Sequence, residues 1–178
     1  MNIFVLDKNP EIAARMHCDK HVPKMCVEAA QMMASALRRH GATDEQMPLT
    51  KSGTPYKGGY HHHPCTVWAG DSEANFQLLA RYGYWLFTEY TKRFGKTHAC
   101  EGPIRFMGHL SIMIPTGELT PFAIAIADHM ECRKLPDFDN MSAVEKYRAY
   151  YNHDKRYFAK WEKGTPAPDW WQGVEVTA

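Results

Sequence analysis

The chain lacks the patterns that most quickly classify a protein. Its five cysteines, Cys18, Cys26, Cys65, Cys100 and Cys132, contain no CxxC pair. Their odd number and scatter argue against a disulfide framework, so reduced thiols are expected. No apolar run approaches the roughly 20 residues that a bilayer-spanning helix requires. The short apolar stretch from Asn2 to Leu6 has no basic lead and meets charges at once, which excludes a secretory signal. The expected setting is therefore soluble and cytoplasmic, with no membrane partner. Repeats, low-complexity tracts and linker-like boundaries are also missing, which points to one domain over residues 1–178. Nor is there an excess of one charge: 21 Lys and Arg stand against 20 Asp and Glu, for a formal net charge of +1. Global charge thus argues neither for nor against a polyanion partner, and nucleic-acid binding has to rest on local patches.

What is present fits an ordinary core. Apolar residues make up 44% and charged residues 23% of 178 residues, and a chain of this size buries roughly 70% of its unfolded surface on folding. Pro10, after Asp7 or Asn9 as cap, opens a helix. Met25, Ala29, Met32, Met33, Ala36 and Leu37 then recur at helical spacing until Gly41, with Pro23 as an interruption. The pattern predicts one kinked helix or two abutting helices over 10–40. Residues 41–63 read as a long loop, and a structureless stretch of that length is usually functional or mobile. Between Pro64 and Phe94, with Asp71 or Ser72 as cap, Phe76, Leu79, Tyr82, Leu86 and Tyr90 share one face of a long, mostly buried helix. The run FAIAIA reads equally as a helical turn or a strand, and Ser142 caps a final helix. The predicted class is all-α: a single-domain helical bundle with a kinked N-terminal helix, a long central helix and extended loops.

The densest chemistry lies in HCDKHVPKMCVE, residues 17–28. On a helix, Lys20, Lys24 and Glu28 form one stripe and His17 with His21 a neighbouring one. Lysines supply phosphate-binding charge and a histidine beside a carboxylate can move protons, although an exposed helix face has the same composition. His17 and His21 also have the spacing of helical zinc ligands, with His61, His62, His63 and Cys65 as further donors, but Cys18 stands where a metalloprotease helix needs glutamate. In YHHHPCTVW, His63 is held extended by Pro64 and sits at a helix start, where anions are favoured. RFGKTHACEGP brings Lys96 and His98 together. It is not a nucleotide-binding loop, because Tyr90 occupies the position of the upstream glycine. The segment YRAYYNHDKRYFAKWEKG interleaves aromatics with Arg148, Lys155, Arg156, Lys160 and Lys163, which suits either a nucleic-acid backbone or a helix with a buried aromatic face.

The succession NIFVLD, PEIAA, HCDKHVPKM, HPCTVW and GKTH resembles a family of small bacteriophage-encoded proteins, which implies a phage or prophage origin. A second resemblance is to phage endonuclease V, the pyrimidine-dimer DNA glycosylase: a small all-α protein whose early helix carries arginine, glutamate, an apolar residue, proline and arginine in succession. Lys20, His21, Val22, Pro23 and Lys24 stand in that order here. The resemblance implies Lys20 and Lys24 on DNA phosphates and His21 at the catalytic carboxylate position, with Glu28 further along as an alternative acid. It also implies an amino-terminal amine as nucleophile. Met1 before Asn2 is not expected to be trimmed, which speaks against lyase chemistry by the same route.

The resulting expectation is a phage-encoded enzyme, acting in the infected bacterial host, that excises or modifies a base drawn out of DNA. His21 and Glu28 would transfer protons, Lys20, Lys24 and Lys96 would hold phosphates, and His63 and His98 would lie near the base. No cofactor or metal is expected on this reading. The competing readings are a metal-dependent hydrolase using His17, His21, His61, His63 and Cys65, and a non-enzymatic accessory protein with Trp161, Trp170 and Trp171 as exposed anchors for a host protein.

Overall fold

Asn9 begins the first helix by accepting a hydrogen bond from the Glu11 amide at 2.9 Å, with Pro10 in the position where a missing N–H costs nothing. The computed structural model describes residues 1–173, so the last residues of the aromatic tail lie outside the described chain. Helix α1 covers Pro10–Met16 and α2 covers His21–Arg39. The predicted break is real, but it falls at residues 17–20 and not at the proline. Pro23 is the third residue of α2, where its lack of a donor is harmless.

The expected long helix from Pro64 is two helices. Helix α3, Pro64–Asp71, stops where Ser72 turns extended, and Ser72 then caps α4, Glu73–Phe94, by accepting from the Asn75 amide at 3.1 Å. Gly95, at φ 69°, ends α4. Helix α5 follows at Glu101–Gly108, and α6, Ala143–Tyr150, starts from a capping box between Ser142 and Glu145. A π-turn over Tyr151–Lys155 continues α6. FAIAIA is neither helix nor strand: it runs irregularly past α6, where the Tyr147 hydroxyl donates to the Ala123 carbonyl and accepts from the Ala125 amide, each at 2.9 Å. The described residues form an all-α domain without a named strand, and none of their helices is long and apolar enough to cross a membrane.

Helix α4 packs on α1, α2, α3 and α5, and α2 in turn packs on α3 and α5. The α2 alanines Ala29, Ala30, Ala34 and Ala36 are fully or almost fully buried and let the neighbouring helices approach closely. Asn2, Ile3, Phe4, Val5 and Leu6 are all buried, so the chain start is threaded into the core. The 17–20 linker is held by Arg93, whose side chain is 0% exposed. Its guanidinium donates to the His17 carbonyl at 2.6 Å, the Arg15 carbonyl at 2.9 Å, Glu89 at 2.8 Å and Asp19 at 3.2 Å. Glu89 also accepts from the Thr165 hydroxyl, and Asp19 from the Glu162 amide at 2.7 Å. A buried guanidinium with this many acceptors is fully compensated, and truncating it would strand two carboxylates.

His17 and His21 do not line a surface cleft. His17 bridges the Ala13 carbonyl at 2.6 Å and the Tyr82 hydroxyl at 2.7 Å, and burial pushes its pKa down to about 3. His21 is 2% exposed, stacked on Phe4 at 4.5 Å between ring centres, with Nδ1 2.5 Å from the Tyr151 hydroxyl. Burial, reinforced by the charge of His17 and nearby lysines, lowers its pKa to about 2. Helix register explains the correction: Val22, Met25, Cys26 and Ala29 set the buried face, and His21 falls on it while Lys20 and Lys24 fall outside. The tryptophans are corrected too. Trp161 donates to the Met16 carbonyl at 3.1 Å, Trp170 contacts the Met16 sulfur at 3.4 Å, and Trp171 packs on Trp161 at 5.0 Å, so all three cover the chain's own core.

Both histidines are neutral when folded but protonate near pH 6.5 when unfolded, so the unfolded state binds more protons between about pH 6.5 and pH 3. Stability should therefore fall as pH drops below 6.5, by about 1.4 kcal/mol per pH unit for each histidine. Urea midpoints at pH 7.5 and 5.0 measure this. His17→Gln should roughly halve the slope, and an equal slope in that variant would remove His17 as a cause.

Candidate active site

The buried chain start delivers the Met1 amine to the side of α2. Met1's side chain is 1% exposed although the residue as a whole is partly exposed, so what it presents to solvent is its main chain. Asn2 holds it there. Its amide donates to Glu28 at 2.8 Å, its side-chain nitrogen donates to the Ala125 carbonyl at 3.0 Å, and its side-chain oxygen faces the Cys65 thiol at 3.9 Å. The same Glu28 carboxylate lies 3.8 Å from the Met1 amine and 3.8 Å from the Lys24 ammonium. These groups border a concavity of about 190 Å³ whose walls include Phe4, Tyr150 and Lys155.

Its floor is a stack of rings. Phe4 lies between His21, at 4.5 Å, and Tyr150, at 5.8 Å, both roughly parallel to it. Lys155 sits over the Tyr150 ring at 4.5 Å, placed there by the π-turn that widens the end of α6. Lys20 is exposed and lies over Phe158 at 4.6 Å, and the charges of Lys155, Lys24 and Lys20 all act on His21 beneath. Lysine cations thus gather above an aromatic floor, around one carboxylate and one amine. That arrangement attracts an anionic substrate and sets a nitrogen nucleophile beside a proton acceptor.

His63 lies within electrostatic reach of the amine. It caps α3, with Nδ1 accepting from the Cys65 amide at 3.1 Å, and burial followed by the positive charge of the chain's amino terminus lowers its pKa. His63 is therefore neutral, with its second ring nitrogen the protonated one. Burial raises the adjacent Cys65 thiol to about 11, so it is no nucleophile.

Of the residues singled out from the sequence, Lys24 and Glu28 meet at the Met1 amine, His63 is near enough to feel its charge, and Lys20 stands on the same lysine-rich side. His21 is underneath, in the core. Lys96 is exposed on the loop after α4 and does not border the concavity. His98 is half-buried, with Nε2 3.1 Å from the Pro23 carbonyl and its ring edge-on to Tyr90 at 4.7 Å, so it fastens that loop to the start of α2. The His17, His21, His61, His63 and Cys65 set does not assemble: His17 and His21 have both rings engaged in the core, and no group of three or more potential ligands able to hold a metal occurs among the described residues. Sequence reasoning named the amine only through the family resemblance and argued against it because Met1 is not expected to be trimmed, and it missed Phe4 and Tyr150. The interleaved aromatic and basic segment around Lys155 was the available signal for the last of these.

The family profile described as pyrimidine dimer DNA glycosylase matches residues 1–102, more than half of the chain and the part that carries Met1, Lys24, Glu28 and His63. No curated protein and no solved structure matches. The profile match over more than half of its length makes this chain a member of the pyrimidine dimer DNA glycosylase family, which implies a DNA-glycosylase-like function with DNA as its substrate.

Proposed function

We propose that the protein excises a damaged pyrimidine from DNA through attack of the Met1 amine on the sugar carbon that bears the base. The observation that carries this reading is the 3.8 Å approach of Glu28 to an amine whose own side chain is anchored in the core. The nitrogen–carbon bond forms as the glycosidic bond breaks, and the bonding pair leaves with the base, which gains a proton. Glu28 accepts a proton from the amine, and opening of the sugar ring leaves an imine between Met1 and the sugar. α-Amines lose their proton more readily than lysine side chains, which suits this task.

The target nucleotide would leave the stack to reach the concavity, as chemistry on a base in a duplex requires. The edges of the buried Phe4 and Tyr150 rings would border it, and neutral His63, within electrostatic reach of the amine, would donate a hydrogen bond to the extruded base. Lys20, Lys24 and Lys155 hold the flanking phosphates, with exposed Lys96 as a more distant contact. His98 acts as a positioning residue through Pro23. Action on DNA in the cytoplasm of an infected host belongs to the same proposal.

A duplex oligonucleotide carrying one pyrimidine dimer, incubated with borohydride, tests the chemistry. The full chain should form a covalent adduct that peptide mass analysis places on the Met1 nitrogen. Glu28→Gln should lower excision by roughly 10²–10⁴-fold while the protein stays folded. An adduct of undiminished yield in a chain carrying one extra residue ahead of Met1 would exclude the amine.

The lysines make a separate prediction. Lys24→Ala and Lys155→Ala should each weaken duplex binding and lower the slope of log affinity against log salt by about one. Slopes equal to that of the unsubstituted protein would take these side chains off the backbone.

A further inference from the structure

Lys155 stands five positions after Tyr150, yet its ammonium lies 4.5 Å from the centre of the Tyr150 ring. In an α-helix, residues five apart point about 140° away from each other around the axis, so an α6 that ran on unchanged would carry Lys155 off that face. The i→i+5 bonding of the π-turn Tyr151–Lys155 brings the two onto one side instead. Both residues border the concavity beside the Met1 amine, so the turn supplies one of its walls. That wall lies beyond residues 1–102, the part that matches the family profile. Lys155 makes no ion pair among the described residues, where its contacts are the Tyr150 and Phe158 rings, and its charge is therefore available to a ligand.

A π-turn is a rare alternative to continued α-helix, and three of the five side chains in this one are fastened elsewhere. The fully buried Tyr151 hydroxyl meets His21 Nδ1 at 2.5 Å. Asn152 donates to the Trp170 carbonyl at 3.3 Å and accepts from the Gln172 amide at 3.0 Å. Asp154 uses both carboxylate oxygens, one accepting from the Glu131 amide at 2.7 Å and the other from the Cys132 amide at 3.0 Å. Those amides open the 3₁₀ turn Glu131–Lys134, where they have no partner within the turn itself. A change from π to α register displaces later residues most, so Asp154 is the anchor whose grip depends most on the wide turn.

We propose that Asp154 is a positioning residue for base excision: gripping the Glu131 and Cys132 amides, it holds the π-turn open and so keeps the Lys155 ammonium over Tyr150, against a phosphate beside the extruded nucleotide. The assignment rests on the excision reading and adds to it a residue that touches neither the substrate nor the amine. By charge alone a carboxylate next to a DNA-binding lysine opposes DNA, so charge and geometry predict effects of opposite sign.

Asp154→Ala removes both acceptors. It should weaken duplex binding roughly three- to tenfold and lower the slope of log affinity against log salt by up to about one, as Lys155→Ala does. Made in a Lys155→Ala background, the same change should have almost no further effect, because the residue it acts through is gone. The methylene resonances of Lys155, shifted by the Tyr150 ring in the unsubstituted protein, should move toward ordinary lysine positions in Asp154→Ala, with the urea midpoint reporting the fold. Asp154→Asn, which keeps one acceptor oxygen, should lie between the two and takes the place of Asp154→Ala if that variant does not fold. Equal or tighter duplex binding in Asp154→Ala, an equal loss with and without Lys155, or lysine resonances that stay in place would each overturn the proposal. Dimer excision by the unsubstituted protein separates the two readings. If it occurs while Asp154→Ala leaves binding and the Lys155 resonances unchanged, the positioning role alone fails. If it is absent although Asp154→Ala weakens binding through Lys155, the excision chemistry alone fails.

Discussion

Burial of the chain start is the constraint on which the functional architecture depends. A terminal segment is ordinarily the least ordered part of a domain. Here Asn2 through Leu6 are buried, Met1 inserts its side chain, and Asn2 hydrogen-bonds to Glu28 and Ala125. The amine therefore has a fixed address relative to α2. A nucleophile on a frayed terminus would lose the advantage of orientation, which is where a large part of the rate enhancement of a covalent mechanism resides.

That address is useful because α2 starts where it does. Arg93 gathers the carbonyls of Arg15 and His17 and the carboxylates of Asp19 and Glu89, and so closes the turn between α1 and α2. The same carboxylates tie down the chain near Glu162 and Thr165, which brings the segment after α6 against the start of α2. Lys155 and Tyr150 reach the concavity as a consequence. The neutral pair His17 and His21 fills the space beneath, each hydrogen-bonded to a buried tyrosine. They serve as polar core, at the expense of acid stability.

How much of this was legible in the sequence depends on range. Caps and breakers were readable: Asn9, Ser72 and Ser142 act within a few residues of themselves, and each caps a helix. Pro23 was misleading because proline breaks a helix only past the first turn, and nothing local says on which side of it a helix begins. His21 was misleading for a related reason. Its alignment with the family's carboxylate position follows the order of residues, but the loading of Val22, Met25 and Cys26 turns that position inward. The carboxylate that meets the amine is Glu28, which shares the solvent-facing stripe with Lys24. The Trp161, Trp170 and Trp171 cluster illustrates the same limit, since composition cannot distinguish an aromatic patch waiting for a partner from one already covering Met16.

By itself the sequence determined the all-α class, the caps at Asn9, Ser72 and Ser142, and the presence of a lysine stripe with Glu28 at its end, because these follow from periodicity and from hydrogen bonds made within a turn or two. Only the tertiary structure decided which polar groups share a site. The meeting of Met1 with Glu28, and of both with Tyr150 and Lys155, joins residues from opposite ends of the chain, and such a meeting is set by how the buried faces pack, a property of the whole core that no local stretch encodes.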